Sequence, residues 1–228
     1  GSVYNDNESD NTDVLEAESK HQDDCLTLTA TVGSFQLTQA SRLAAHAIAT
    51  MAETTTKLRG VVVDWGCGGG VLALLAAAQP DVDLVIGLDY EAQNISTCRL
   101  NARQNGMEHK IKFYRTDSFQ PLDEKDKEEL LKILQAKVDF VIGNPPASSS
   151  DDGFSFRRRI LQEATLFLKP YGQVILQALS YYGPNRFISA AEQAADWYNQ
   201  HKPKDDAQTM SYHYQGVIKA SPWLALGG

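Results

Sequence analysis

Val61-Val62-Val63-Asp64-Trp65 runs directly into Gly66-Cys67-Gly68-Gly69-Gly70. The valines read as a buried strand, and the glycines as a turn that permits positive φ and lets a ligand press against bare backbone. No Gly-Lys-Ser/Thr follows, so the turn is not a phosphate-binding P-loop. A dinucleotide fingerprint needs a glycine where Val71 stands. Asp64 repels a pyrophosphate and suits a ligand that brings an ammonium group.

Working outward, short apolar runs alternate with helical patterns. Thr38 reads as the cap of a helix carrying Leu43, Ala47, Ile48 and Met51 at helical spacing. Residues 71–78 form an apolar helix stopped by Pro80, and 84–88 a second strand ending at Asp89. A helix over 91–105 ends in Asn105-Gly106, a C-terminal signal. Residues 110–113 alternate as a strand near a sheet edge, and 123–137 form a charged helix. Val138–Gly143 is a fourth strand. Ile160, Ala164, Phe167 and Leu168 predict one apolar helix face. Tyr171-Gly172 predicts a turn into a strand over 173–179, followed by a helix over 188–200 and strand-like stretches at 210–214 and 217–219. This order predicts an α/β fold, doubly wound, with a mostly parallel sheet and helices on both faces.

Ligands of such sheets bind beyond the carboxyl ends of the strands. Those ends carry Asp64, Asp89, Asp117 and Asn144. A carboxylate at Asp89 can accept both hydroxyls of a ribose, and it equally suits the N-terminus of the next helix. Asp117, in Thr116-Asp117-Ser118, can meet an adenine amino group or cap the following loop.

Asp64 through Gly70, Leu88-Asp89 and Asp117-Ser118 together resemble the class I S-adenosylmethionine-dependent methyltransferases. The resemblance spans roughly residues 30–220. It implies a seven-stranded sheet whose last strand is antiparallel, and S-adenosyl-L-methionine as cofactor. It further implies that Asp64 faces the methionine amino group while Gly66, Cys67, Gly68 and Gly70 pack on the methionine portion. Asp89 with Tyr90 would then hold the ribose end, and Asp117 and Ser118 the adenine. Phe35, in Val32-Gly33-Ser34-Phe35-Gln36, resembles the segment that closes over the cofactor.

Asn144-Pro145-Pro146-Ala147 ends the fourth strand. Two prolines stop the ladder, so the turn also reads simply as a stiff strand exit. On the carboxyl edge it suits chemistry on a planar nitrogen, whose delocalised lone pair makes it a poor nucleophile. The Asn144 side-chain oxygen and the Pro145 carbonyl can each accept one N–H, aiming the lone pair at a methyl donor. The turn resembles the Asn-Pro-Pro-aromatic motif of release-factor glutamine, ribosomal RNA guanine and DNA adenine methyltransferases. Asn144, Pro145 and Pro146 are the implied catalytic residues, with Asn144 also beside the cofactor. Ala147 departs from the aromatic fourth position, which leaves stacking to Phe154, Phe156 or Tyr181. Arg157-Arg158-Arg159 reads as a solvated helix face, with a phosphate contact as the sharper alternative.

The chain has 228 residues and a net charge of −8, and 43% of its residues are hydrophobic. Residues 1–24 hold eight acids against Lys20, which leaves −1 on the remainder. Residues 1–25 therefore predict an acidic flexible tail, and 26–228 a methyltransferase domain. No apolar run reaches the ~18 residues a membrane span needs, so no membrane partner is expected. Cys25, Cys67 and Cys98 are too scattered for a disulfide framework, which points to the cytoplasm. Five dispersed histidines predict no metal site. The expected function is methyl transfer to an amide or exocyclic amino nitrogen of a protein or RNA. A non-catalytic binding module on the same fold and a small-molecule methyltransferase are the alternatives, and the sequence sets no oligomeric state.

Overall fold

The computed structural model describes residues 12–15, 26–34, 36–51, 57–147, 152–178, 182–202 and 210–212. Strands β1 (Thr12–Leu15) and β2 (Leu26–Thr29) form an antiparallel pair. Helix α1 (Gln39–Met51) follows, with the Thr38 hydroxyl accepting the Ser41 N–H at 3.2 Å. Then come β3 (Gly60–Trp65), α2 (Val71–Ala77), β4 (Val82–Asp89), α3 (Ala92–Gln104), β5 (Ile111–Asp117) and the two-residue β6 (Gln120–Pro121). Helix α4 (Glu124–Gln135), β7 (Val138–Gly143), α5 (Ser155–Ala164), β8 (Leu168–Leu176) and α6 (Gly183–His201) complete the order.

The main sheet runs β6-β5-β4-β3-β7-β8 and is parallel except where β6 meets β5. The chain winds outward from β3 through β4 and β5, then returns to the other side of β3 as β7. That reversal opens a crevice between the carboxyl ends of β3 and β7, where this class of sheet binds ligands. The described residues supply six strands to this sheet, one fewer than the resemblance implies. Residues 210–212 are not strand, and the expected stretch at 217–219 lies outside the described residues.

Alternation along the strands sorts two cores. Val62, Val85, Phe140 and Ile142 face α1, α2 and α3, while Val63, Ile86, Leu88 and Val141 face the side of α4 and α5. Both faces are buried, so the strands read as continuous apolar runs rather than polar-apolar alternation.

Three expectations change. The α5 helix ends at Ala164, because the Phe167 carbonyl is taken by the Val138 N–H at 2.8 Å. Phe167 and Leu168 thus leave the helix, yet stay in one core with Ile160 and Ala164. The β8 strand begins earlier than expected, at Leu168, and Tyr171 (φ 66°) and Gly172 fall in an irregular stretch inside it. The pairing steps from Val138 with Leu168 to Phe140 with Gln173, three residues more than β7 spends, and is regular from Gln173 on. The acidic head contributes β1, where Thr-Asp-Val-Leu is its most strand-like stretch.

Candidate cofactor and acceptor site

Beyond β3, Gly66, Gly68 and Gly70 sit at φ 68°, 55° and 88°. Side chains disfavour that region. A Cβ on Gly70 would also lie 3.1 Å from the Cys98 sulfur. The turn is tied down strand by strand. The Cys67 N–H donates to the Leu88 carbonyl at 2.9 Å, and the Gly70 N–H to the Cys67 carbonyl at 2.8 Å. The Cys98 thiol donates to the Gly68 carbonyl at 3.0 Å, and Asn101 Nδ2 to the Gly69 carbonyl at 2.8 Å.

Asp64 lies beneath this turn, 1% exposed, and neither carboxylate oxygen has a hydrogen-bond partner in good geometry. Burial pushes its pKa up to about 7; the α2 backbone at Ala73 pulls it partly back, and the Asp89 charge adds to the rise. An unpaired buried carboxylate is expensive unless something cationic meets it. The residue therefore suits the ammonium that the sequence assigned to it.

Asp89 is a clasp. Its Oδ2 accepts the Gly68 N–H at 2.8 Å, and its Oδ1 accepts the Glu91 N–H at 2.9 Å and Asn94 Nδ2 at 3.0 Å. The helix-terminus and ligand readings of Asp89 are thus compatible, since a carboxylate offers about four acceptor directions. Tyr90 is exposed on the same rim, its ring 5.9 Å from the Arg115 guanidinium. Further along, Asp117 accepts Arg159 Nη1 at 2.7 Å, and Ser118 Oγ accepts the Trp65 indole N–H at 2.9 Å. Trp65 itself belongs to the core under the sheet.

The Asn-Pro-Pro turn closes the other end. Asn144 Nδ2 donates to Ser41 Oγ at 3.3 Å, which turns its oxygen away from α1. The Pro145 carbonyl accepts Arg157 Nη2 at 2.9 Å, and the Pro146 carbonyl Arg157 Nη1 at 3.3 Å. Arg157 is only 2% exposed, and its Nε also donates to the Gln177 carbonyl at 3.0 Å.

Of the three-arginine run only Arg157 leaves the solvated face, while Arg158 and Arg159 stay half-exposed. Arg157 braces the turn, Arg158 pairs with Asp152, and Arg159 joins Asp117 and Glu163. Phe154 is buried against Tyr182 and Phe187, so it leaves the stacking position. Phe156 lines the crevice 5.9 Å from Trp65. Phe35 and Tyr181 lie outside the described residues.

All the described candidates except Gly70 line one crevice of about 660 Å³, and Gly70 closes the turn onto α2. Its size falls within the range typical of small-molecule sites, roughly 300–1,000 Å³. Sequence reasoning missed Ser41, Asn94, Asn101, Arg157 and Gln177. It also placed the cysteines apart, whereas the Cys67 and Cys98 sulfurs approach to 3.6 Å as buried free thiols. The hydrogen bond with Cys98, and then burial, push the Cys67 thiol pKa well up, so it stays protonated.

Comparison with known proteins places the chain in a family. Ribosomal RNA small subunit methyltransferase C of Shewanella loihica is 33% identical over 117 residues, covering 50% of this chain and 30% of that protein. Ribosomal protein L11 methyltransferase of Shewanella woodyi is 28% identical over 142 residues, covering 62% of this chain and 40% of that protein. The chain thus spans well under half the length of either relative. A Pyrococcus furiosus methyltransferase shares the fold with a TM-score of 0.53 at 19% identity, covering 74% of this chain and 76% of that one. The methyltransferase small domain matches residues 27–195. An orphaned acid under a glycine turn, beside a ribose-compatible clasp, fits the cofactor of that family, S-adenosyl-L-methionine, and the chain belongs to the methyltransferase small domain family.

Proposed function

We propose that the chain is an S-adenosylmethionine-dependent N-methyltransferase acting on an amide or exocyclic amino nitrogen of a protein or RNA. The observation that carries this reading is the shared crevice: the unpaired Asp64 carboxylate and the Asn144 amide line one cavity at the sheet's switch point. The names of the relatives, for ribosomal RNA and ribosomal protein L11, support a macromolecular acceptor.

Asp64 would hold the ammonium group, and residues 66–70 would present bare backbone to the methionine portion. Asp89 and Tyr90 would face the ribose, with Asp117 and Ser118 at the adenine. When bound, the cofactor supplies an electrophilic methyl on a sulfonium. Asn144 Oδ1 accepts one N–H of the acceptor nitrogen. The Pro145 carbonyl accepts another through its second lone pair, its first being held by Arg157. The two bonds draw the nitrogen out of plane and aim its lone pair. Rate then comes from orientation and preorganised dipoles, with no covalent intermediate.

The test is incubation with tritium-labelled methyl donor and separated bacterial ribosomal subunits, followed by nuclease or protease digestion to locate the label. Asn144→Ala should cut labelling at least a hundredfold while calorimetry shows S-adenosylhomocysteine binding within about threefold of wild type. Undiminished labelling by the variant would take Asn144 out of the chemistry and overturn the reading. Cofactor binding without labelling of any fraction would favour the binding module.

A further inference from the structure

Asn101, on the inner face of α3, is 1% exposed and grips two elements with one amide. Its Oδ1 accepts the Thr29 N–H at 2.8 Å, and its Nδ2 donates to the Thr29 carbonyl at 3.2 Å and the Gly69 carbonyl at 2.8 Å. One helical turn on, Asn105 repeats the grip on Thr27: Oδ1 accepts its N–H at 2.9 Å and Nδ2 donates to its carbonyl at 2.7 Å. Two asparagines four residues apart thus take the part of a neighbouring strand, bonding alternate residues of β2 as a ladder would. Thr29 Oγ1 adds a bond to Gln104 at 3.0 Å, and Gln93 Nε2 donates to Thr31 Oγ1 at 2.9 Å. Leu28, Thr29 and Ala30 in turn line the crevice.

Only the Asn101 amide reaches both this strap, residues 26–34, and the glycine turn among these contacts. A turn built of glycines has many backbone conformations to choose among, so its shape depends on such bonds. We propose that Asn101 is a positioning residue for the cofactor: it locks the strap to the glycine turn, so that the turn holds its binding shape only with the strap docked. Ligand pressed against the turn in return orders the strap over the crevice mouth. This rests on the reading that the glycine turn cradles the cofactor.

The test measures S-adenosylhomocysteine affinity by calorimetry on the full chain, with hydrogen exchange at residues 26–34 in parallel. Asn101→Asp keeps the acceptor for the Thr29 N–H and loses both donations. Thr29→Pro removes the N–H that Asn101 accepts, together with the Oγ1 bond to Gln104, at a partly exposed position. Each should weaken binding about tenfold, the size expected for losing a buried hydrogen-bond partner. In the wild type, ligand should slow exchange in the strap at least tenfold, and in both variants that slowing should vanish. Should Asn101→Asp fail to fold, Thr29→Pro decides alone. Wild-type binding matched by the variants, or strap exchange unmoved by ligand, overturns the clamp and leaves the glycine-turn site standing. A wild type that binds no S-adenosylhomocysteine removes the site reading and the clamp with it.

Discussion

Replacing Asp64 with asparagine should stabilise the ligand-free protein while abolishing cofactor binding. The carboxyl titrates near 7 when folded, against an ordinary value of 3.8. At pH 8 that difference of about 3 units amounts to roughly 4 kcal/mol of stability lost to one buried charge, at ~1.36 kcal/mol per unit. A carboxyl with a raised folded pKa holds its proton more tightly in the folded state. Stability is therefore greatest below about pH 4, falls as pH climbs toward 7, and is flat above. An uncharged amide in the same place escapes that loss but keeps its own unpaired polar atoms, at about 1–3 kcal/mol. The net gain at pH 8 is on the order of 2 kcal/mol, or roughly 4–8 °C in melting midpoint for a domain of this size. At pH 5 most of the wild-type charge is already gone, and the two proteins should melt within about 2 °C of each other. The assay is thermal unfolding of both proteins at pH 5 and pH 8, with calorimetry against S-adenosylhomocysteine at each. If the variant gains nothing on wild type between the two pH values, the carboxylate is not held unpaired and the argument collapses.

The same titration predicts that wild-type affinity for S-adenosylhomocysteine drops about tenfold from pH 8 to pH 6, as Asp64 takes up a proton the ligand must displace; a flat profile measured by calorimetry would contradict the ammonium contact. Arg157→Met should destabilise by about 3 kcal/mol in urea unfolding, since it strands the Pro145 and Gln177 carbonyls, and Arg157→Lys should recover little because a point charge cannot span them. Ser41→Ala should lower methyl transfer to the labelled subunit about tenfold with cofactor affinity unchanged, by freeing the Asn144 amide to rotate, whereas Ser41→Thr keeps the acceptor oxygen and most of the rate. Arg159→Ala breaks exposed ion pairs and should cost under about 1 kcal/mol of stability, so a larger loss in cofactor affinity would report the freed Asp117 carboxylate.

The elements that frame the crevice were legible because their signals are local. Val61-Val62-Val63 needs a buried strand and the glycines need a turn, whatever the rest of the chain does. The contacts that stiffen the site were hidden for a different reason: they join residues far apart in sequence. Arg157 looked like one of three surface charges, yet it shares a helical face with Ile160, Leu161 and Ala164, all buried. That spacing placed it inward, and the charge run masked it. Likewise Asn94 and Asn101 on α3 and Asn105 at its C-cap fall seven and four residues apart, a polar stripe on a face that also carries Ile95, Cys98 and Ala102. Such a stripe signals side chains waiting for backbone partners. The meeting of Cys67 with Cys98 had no local signal at all, because it follows from how α3 packs under the turn.

One contrast organises the site. Asp89, Asn101 and Arg157 each satisfy several backbone groups, and the turns they hold are consequently rigid. Asp64 is buried as deeply as any of them, and beyond the partial pull of the α2 backbone at Ala73 it has no well-aligned hydrogen bond. A chain able to place an asparagine on two carbonyls at once has the means to supply one donor to a carboxylate. Above about pH 7, where the carboxyl is charged, Asp64 keeps the ligand-free protein below its attainable stability, and a cation that fits under the glycine turn relieves the deficit. Binding and folding then share one free energy, so the ligand-induced rise in melting midpoint should exceed in wild type whatever rise Asp64→Asn retains. The difference between the two rises, followed against pH, isolates the ammonium–carboxylate contact from every other contact in the crevice.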